Sequence, residues 1–129
     1  MIEATQTALA AVASPPLVPG DRPIDLVHLS RMTLGDRMLE RDVLALFERQ
    51  IGFLMDRIET ATAPVAAAAA HTLKGSAQGV GAFALANAAS RVEQAAMSGD
   101  AVGRDEGVSS LRAAIRDTRA EIAGLLSPA

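Results

Sequence analysis

Apolar residues recur along much of the chain at steps of three and four, the spacing that places side chains on one face of an α-helix. The pattern extends over about 37–60, 82–98 and 101–126. Its apolar positions are Val43, Phe47, Ile51, Leu54 and Ile58, then Leu85, Ala89, Val92 and Ala96, then Val108, Leu111, Ile115, Ile122 and Leu125. No segment alternates between apolar and polar residues as a half-buried strand does. The pattern therefore predicts an all-α fold.

Short breaks separate these helices and leave room for another one, about 64–79. Gly35-Asp36 precedes the first long helix, and Asp36 is a good N-cap residue. Pro64 suits the first position of the next helix, where a missing N–H has no cost. Short connections between long amphipathic helices favour antiparallel neighbours, so we predict an up-down four-helix bundle.

A shorter helix is predicted ahead of the bundle, capped by Asp21 or Asp25 and ending near Thr33, with Leu26 and Leu29 turned inward. Residues 1–20 hold three prolines and no lasting period. The chain is thus predicted to contain a flexible N-terminal arm, 1–20, and one domain, 21–129. The arm lacks the positive start of a secretory signal, and no segment has about 18 uninterrupted apolar residues, so we expect a cytoplasmic protein without a membrane partner.

Composition excludes several classes of function. The sequence has no cysteine, which excludes disulfides and cysteine-ligated metals. The net charge is -3 and no basic block is present, so nucleic acid is not an expected partner. The two histidines, His28 and His71, lie far apart and lack the spacing of metal ligands. We predict that His28 is a surface or rim residue of the short first helix.

The helix over about 64–79 carries the candidate chemistry. On a helical wheel its core stripe is formed by Ala66, Ala70, Leu73, Ala77 and Val80. A second, polar face lies roughly 130° away, by the helical period of 3.6 residues, and contains His71, Lys74, Gly75 and Gln78. An exposed histidine adds no packing, and a neighbouring cation favours the neutral, nucleophilic ring. Gly75 costs roughly 1 kcal/mol relative to Ala in mid-helix, which suggests close approach by another protein.

These residues resemble the signature of a known family. The run from Ala70 to Ala77, AHTLKGSA, followed by Gly81-Ala82, is similar to the motif of histidine-phosphotransfer (HPt) domains, in which the phosphorylated histidine is followed by x-x-Lys-Gly-Ser/Ala and a later Gly-Ala. The resemblance covers about 22–126. Asp25, Leu29, the Gly35-Asp36 break, Phe47 and Glu93 also fall where such domains usually place them.

The resemblance implies a role for each residue of the polar face. His71 would accept and donate a phosphoryl group through Nε2, Lys74 would balance the phosphate charge, and Gly75 would keep the face open to a docking partner. Gln78 would hydrogen-bond the ring or the phosphate. The expected partners are response-regulator receiver domains and a (hybrid) histidine kinase. The chain would have no cofactor of its own, since Mg²⁺ is supplied by the receiver, and it would act as a monomeric carrier rather than an enzyme.

Two alternatives remain at this stage. A histidine-kinase dimerisation domain also phosphorylates a helical histidine, but its usual His-Glu/Asp-Leu-Arg/Lys-x-Pro motif does not fit Thr72 and Gly75. A helical-bundle adaptor would have no use for an exposed histidine beside a lysine. An independent ATPase is excluded by the lack of a Gly-x-x-x-x-Gly-Lys-Ser/Thr loop.

Overall fold

A computed structural model describes residues 22–128, and within this range all regular structure is helical. The helices are α1 (Leu26–Met32), α2 (Arg37–Thr60), α3 (Ala63–Val80), α4 (Phe83–Ser98) and α5 (Ala101–Leu126). Each predicted helix is present, and the bounds differ from expectation by a residue or so at the ends. The predicted arm, 1–20, lies outside the described residues.

Aspartate residues form the N-caps of three of the helices. The carboxylates of Asp25, Asp36 and Asp100 accept hydrogen bonds from backbone N–H groups in the first turns of α1, α2 and α5. Of the two caps considered for α1, Asp25 is therefore the one in place. Helix α3 starts one residue earlier than expected, so Pro64 occupies its second position and not its first. The missing N–H still falls in the first turn, where no intrahelical acceptor exists.

Helices α2 to α5 form a four-helix bundle, and α1 is the short extra helix that packs on α3. Each long helix contacts the next along the chain, and α5 closes the ring against α2. The largest fully buried side chains come from every part of the fold and include Ile24, Phe47, Ile51, Ile58, Leu73, Leu85, Val92, Leu111 and Ile122. Burying a side chain of this size contributes about 1.5–3 kcal/mol. The all-α prediction is confirmed.

Alanine makes α3 unusual among the bundle helices. Its predicted core stripe is buried in full, and Ala67 and Ala69 are buried on either side of that stripe. Only a narrow strip of α3 stays exposed, formed by Pro64, Val65, Ala68, His71, Thr72, Gly75 and Gln78. Because the neighbouring helices enclose the rest of α3, this strip is the part of the helix that another molecule can reach.

The C-terminal end of α3 is fastened to α1. Gly81, with φ +86°, lets the chain turn, and its carbonyl accepts a hydrogen bond from the Asp25 N–H at 2.9 Å. His28 is half buried here, with Nε2 at 3.1 Å from the Gly79 carbonyl and its ring edge-on to Phe83. His28 therefore lies at the rim of the bundle, and its ring joins α1 to the helix that carries His71.

We expect Gly81→Ala to lower the free energy of unfolding more than Gly99→Ala does. Both glycines have positive φ, a conformation that costs about 1–2 kcal/mol for other residues. A Cβ at Gly81 would lie 3.0 Å from the Asp25 carbonyl oxygen, whereas one at Gly99 meets nothing within 4 Å. The close approach should add about 1–3 kcal/mol. Urea unfolding of both variants measures the difference, and equal losses would show that the contact with α1 adds nothing.

Candidate functional site

His71 lies in the middle of the exposed strip of α3. Its side chain is 66% exposed, although Ala70 and Leu73, which lie on the core stripe beside it, are fully buried. The predicted separation of a core stripe from a polar face therefore describes α3 correctly. The helix holds the backbone of His71 rigidly and leaves its ring accessible.

Glu93 of α4 contacts the ring directly. Its Oε2 lies 2.9 Å from Nδ1 of His71. An ionised carboxylate can only accept a hydrogen bond, so Nδ1 carries a proton and donates it in a hydrogen bond to Glu93. Nε2 then carries the lone pair of the neutral imidazole, and this atom forms no hydrogen bond with any residue in the described part of the chain. The ring is thus held by one nitrogen and presents the other to solvent.

Lys74 binds the other oxygen of the same carboxylate. Its Nζ lies 3.3 Å from Oε1 of Glu93, and the Lys74 and Glu93 side chains are 27% and 16% exposed. The sequence had suggested a lysine acting directly on the ring, but the structure places a carboxylate between the two. Glu93 therefore links Lys74 to His71, with one carboxylate oxygen on each side chain.

Gly75 and Gln78 also lie on the exposed strip, further along α3. A Cβ at Gly75 would have no heavy atom within 4 Å, so the space above it is open. Gln78 forms no hydrogen bond with the His71 ring, from which it is separated by seven residues, or about 10 Å of helix. A contact between Gln78 and a phosphoryl group stays a prediction.

Glu93 contacts both His71 and Lys74, and the helical pattern did not assign it to the site. Its place in the site depends on the register between α3 and α4, which pack closely against each other. The buried Val92 puts the next residue at the edge of α4 that meets α3. The sequence does show a carboxylate, Glu93, directly after a core position of α4. It does not show that this carboxylate meets the ring of His71, which lies 22 residues earlier in the chain.

Comparison with models of protein families identifies the family of this chain. The model of the Hpt domain matches residues 41–121, well over half of the chain, and this range includes His71, Lys74 and Glu93. The chain belongs to the Hpt domain family. An Hpt domain is a phosphotransfer component of a phosphorelay, a phosphoryl carrier rather than a kinase.

A solved structure supports the same fold for this Hpt domain. That structure is of a rice protein designated a histidine-containing phosphotransfer protein. The two chains share 17% identity and superpose with a TM-score of 0.71, over 95% of this chain and 86% of the rice chain. A search of curated proteins gave no match. Helix α1, which fastens the end of α3, lies outside the range that the family model matches.

Two further properties of this Hpt domain concern metals and membranes. Within residues 22–128, no three or more His, Cys, Asp or Glu side chains gather in a way that would hold a metal ion. None of the helices in that range combines the length and apolar character needed to cross a bilayer.

Proposed function

We propose that His71 is the phosphoryl carrier and that it exchanges the group, through Nε2, with aspartates of receiver domains. The observation that carries this proposal is the ring geometry: Nδ1 is bound to Glu93, and Nε2, on an exposed face, forms no hydrogen bond within residues 22–128. A neutral imidazole with an accessible lone pair is a competent nucleophile toward phosphorus.

Phosphoryl transfer depends mainly on positioning and on stabilising charge. In this proposal the Hpt domain supplies a fixed nucleophile, and the receiver supplies the reacting aspartate and Mg²⁺. Glu93 is the only carboxylate that contacts the His71 ring among the described residues, and a single carboxylate is a poor site for Mg²⁺, which takes six ligands. In this proposal the active site is completed only when the receiver docks.

Lys74 is proposed to balance the charge of the bound phosphoryl group. The incoming group is anionic and arrives near Glu93, so the local charge becomes more negative. An ammonium group on a flexible stem can remain on Oε1 of Glu93 or turn toward a phosphoryl oxygen. The Lys74 side chain is 27% exposed and Glu93 is 16% exposed, so water screens charge interactions at this site less than at a fully exposed one.

The receiver is proposed to dock along the strip that follows His71. Gly75 leaves open space, and a Cβ at Gly79 would meet only the Cε of Met32, at 3.6 Å. Met32 and Phe83 are 48% and 41% exposed and supply apolar surface on α1 and α4. A relay protein must release its partner, and transient encounters of this kind bury less than about 1,200 Å². We propose a monomer that serves a histidine kinase and response regulators in the cytoplasm.

Incubation with a phosphorylated receiver tests the function. We expect radiolabel to pass from the receiver to the Hpt protein in acid-labile form, and to return when Mg²⁺ and an unphosphorylated receiver are added. Profiling against all receivers of the source organism identifies the partners. If every receiver keeps its label, the carrier role is wrong and an adaptor function is favoured. Light scattering at micromolar concentration tests the monomer.

A further inference from the structure

Apolar side chains border the exposed strip of α3 at its C-terminal end. Met32 of α1 and Phe83 of α4 are 48% and 41% exposed. Both lie beside Gly79: a Cβ at Gly79 would lie 3.6 Å from the Cε of Met32. On the other side, the His28 ring stands edge-on to Phe83 and its Nε2 is 3.1 Å from the Gly79 carbonyl oxygen. Met32, Gly79 and Phe83 together form the apolar end of the strip that leads to His71.

The chain enters the domain close to this apolar end. The Asp25 N–H donates a hydrogen bond of 2.9 Å to the carbonyl of Gly81, directly after α3, and Ile24 is fully buried. Arg22 forms an ion pair with Glu121 of α5. The three residues that separate Arg22 from Asp25 span at most about 11 Å of chain. The segment that precedes Arg22 therefore starts at the same end of the bundle as the apolar end of the strip.

This preceding segment, residues 1–21, has a composition that favours burial. The first 20 residues contain one charged side chain, Glu3, and eleven of them are Ala, Val, Ile, Leu or Met. Segments that stay in water have the opposite composition, with few apolar residues and high charge. We propose that residues 1–21 fold back over the apolar end and cover the strip beside His71 until a receiver displaces them. The proposal rests on the docking strip of the proposed function and makes the segment an intramolecular competitor of the receiver.

The length of the segment fits the distance that it must cover. Residues 14–21 include three prolines, which favour an extended chain of about 3.1 Å per residue, or about 25 Å in all. Gly81 and His71 are ten residues apart along α3, which corresponds to about 15 Å of helix. The aliphatic side chains of Leu9 and Val12 can therefore reach the part of the strip that lies between the apolar end and the histidine.

Covalent attachment makes a weak contact of this kind effective. A segment on a short linker meets its site at an effective concentration on the order of millimolar. Lys74 and Glu93, the charged residues beside His71, are paired with each other at 3.3 Å, so a nearly uncharged segment leaves no charge on the strip without its partner. The apparent affinity for a receiver then falls in proportion to the fraction of molecules in which the strip is open.

Paramagnetic relaxation in the full chain tests the contact. The sequence has no cysteine, so a nitroxide on Thr7→Cys is the single label. We expect it to broaden the amide signals of Gly75, Gly79 and Phe83, and to leave that of Arg116 sharp, because α5 lies opposite α3 in the ring of helices. Broadening that is absent, uniform or confined to another face would overturn the proposal. Broadening in a mixture of labelled and isotope-enriched unlabelled molecules would also overturn it, since a second copy would then cover the strip.

A pair of charge substitutions links the contact to phosphotransfer. Leu9→Asp with Val12→Asp should abolish the localised broadening. It should also accelerate label uptake from a phosphorylated receiver by about threefold or more at receiver concentrations below Kd, which corresponds to a wild-type strip open in about a third of molecules or fewer. Thr5→Asp with Ser14→Asp is the matched control, because it adds the same two charges and removes no aliphatic side chain.

The control pair should keep both the broadening and the wild-type transfer rate. An unchanged rate for the Leu9 and Val12 pair, or equal acceleration by both pairs, would contradict the proposal. Acceleration without localised broadening would do the same, because the segment would then act without covering the strip. If wild type accepts no phosphoryl group from any receiver, the carrier role is wrong, and the broadening pattern still decides whether the segment covers the strip.

Discussion

We expect His71→Gln to abolish acceptance of a phosphoryl group from a phosphorylated receiver. The variant lacks the 66% exposed imidazole of His71, and a carboxamide is not a nucleophile toward phosphorus. Stability should change by less than about 0.5 kcal/mol, because the side chain is 66% exposed and lies off the core. Label transfer, with a urea melt of the same sample, measures both effects.

His28→Gln is the control for this substitution. His28 contacts the Gly79 carbonyl and the ring of Phe83, and it is not placed to receive a phosphoryl group on Nε2, which lies 3.1 Å from that carbonyl oxygen. This variant should still accept label. If His71→Gln accumulates acid-labile label, or if His28→Gln alone loses it, the acceptor has been assigned to the wrong residue.

We expect Gly75→Leu to reduce phosphotransfer sharply and to leave the bundle at least as stable. A side chain one turn from His71 would hold a docking receiver away from Nε2, and a displacement of 1 Å can reduce the rate by about a hundredfold. A Cβ at this position would meet no side chain and no other helix within 4 Å, so the leucine would start into open space. Replacing a mid-helix glycine should raise the free energy of unfolding by up to roughly 1 kcal/mol.

Gly124→Leu is the matched control for docking. Gly124 is an exposed glycine of α5, and a Cβ there also has no heavy atom within 4 Å. It should gain helix stability without losing transfer. A normal transfer rate for Gly75→Leu would place the docking surface elsewhere, and loss of both fold and activity would show that Gly75 is needed for packing.

The bundle could be predicted because the spacing of apolar residues within each helix identifies the face that the helix buries. Phe47, Ile51 and Ile58 recur at the helical spacing, and each is buried at the predicted face of α2. Asp36 marks the start of that helix through a bond to a backbone N–H three residues away. These signals are local in sequence, so they require no knowledge of the tertiary arrangement.

The contacts that complete the site and fasten the bundle are not local. Glu93 reaches His71 from another helix, and its placement depends on the register of α4 against α3. The same holds for Arg119, whose guanidinium lies 2.7 Å from Glu48 of α2. Helical spacing shows which face a residue occupies but does not identify the residue that will lie opposite. His71, Lys74 and Gly75 could be grouped from the sequence because one helix carries all three.

The buried alanines of α3 restrict how partner choice can change in such a protein. Ala66, Ala70 and Ala77 are fully buried against neighbouring helices, and a larger side chain at any of them would push the acceptor helix outward. Substitutions around α3 that alter partner choice are therefore expected on the exposed strip and at its borders, where Met32 and Phe83 lie. If the receiver docks along this strip as proposed, we expect a library that varies these borders while keeping the alanines to change which receiver is recognised without moving the histidine.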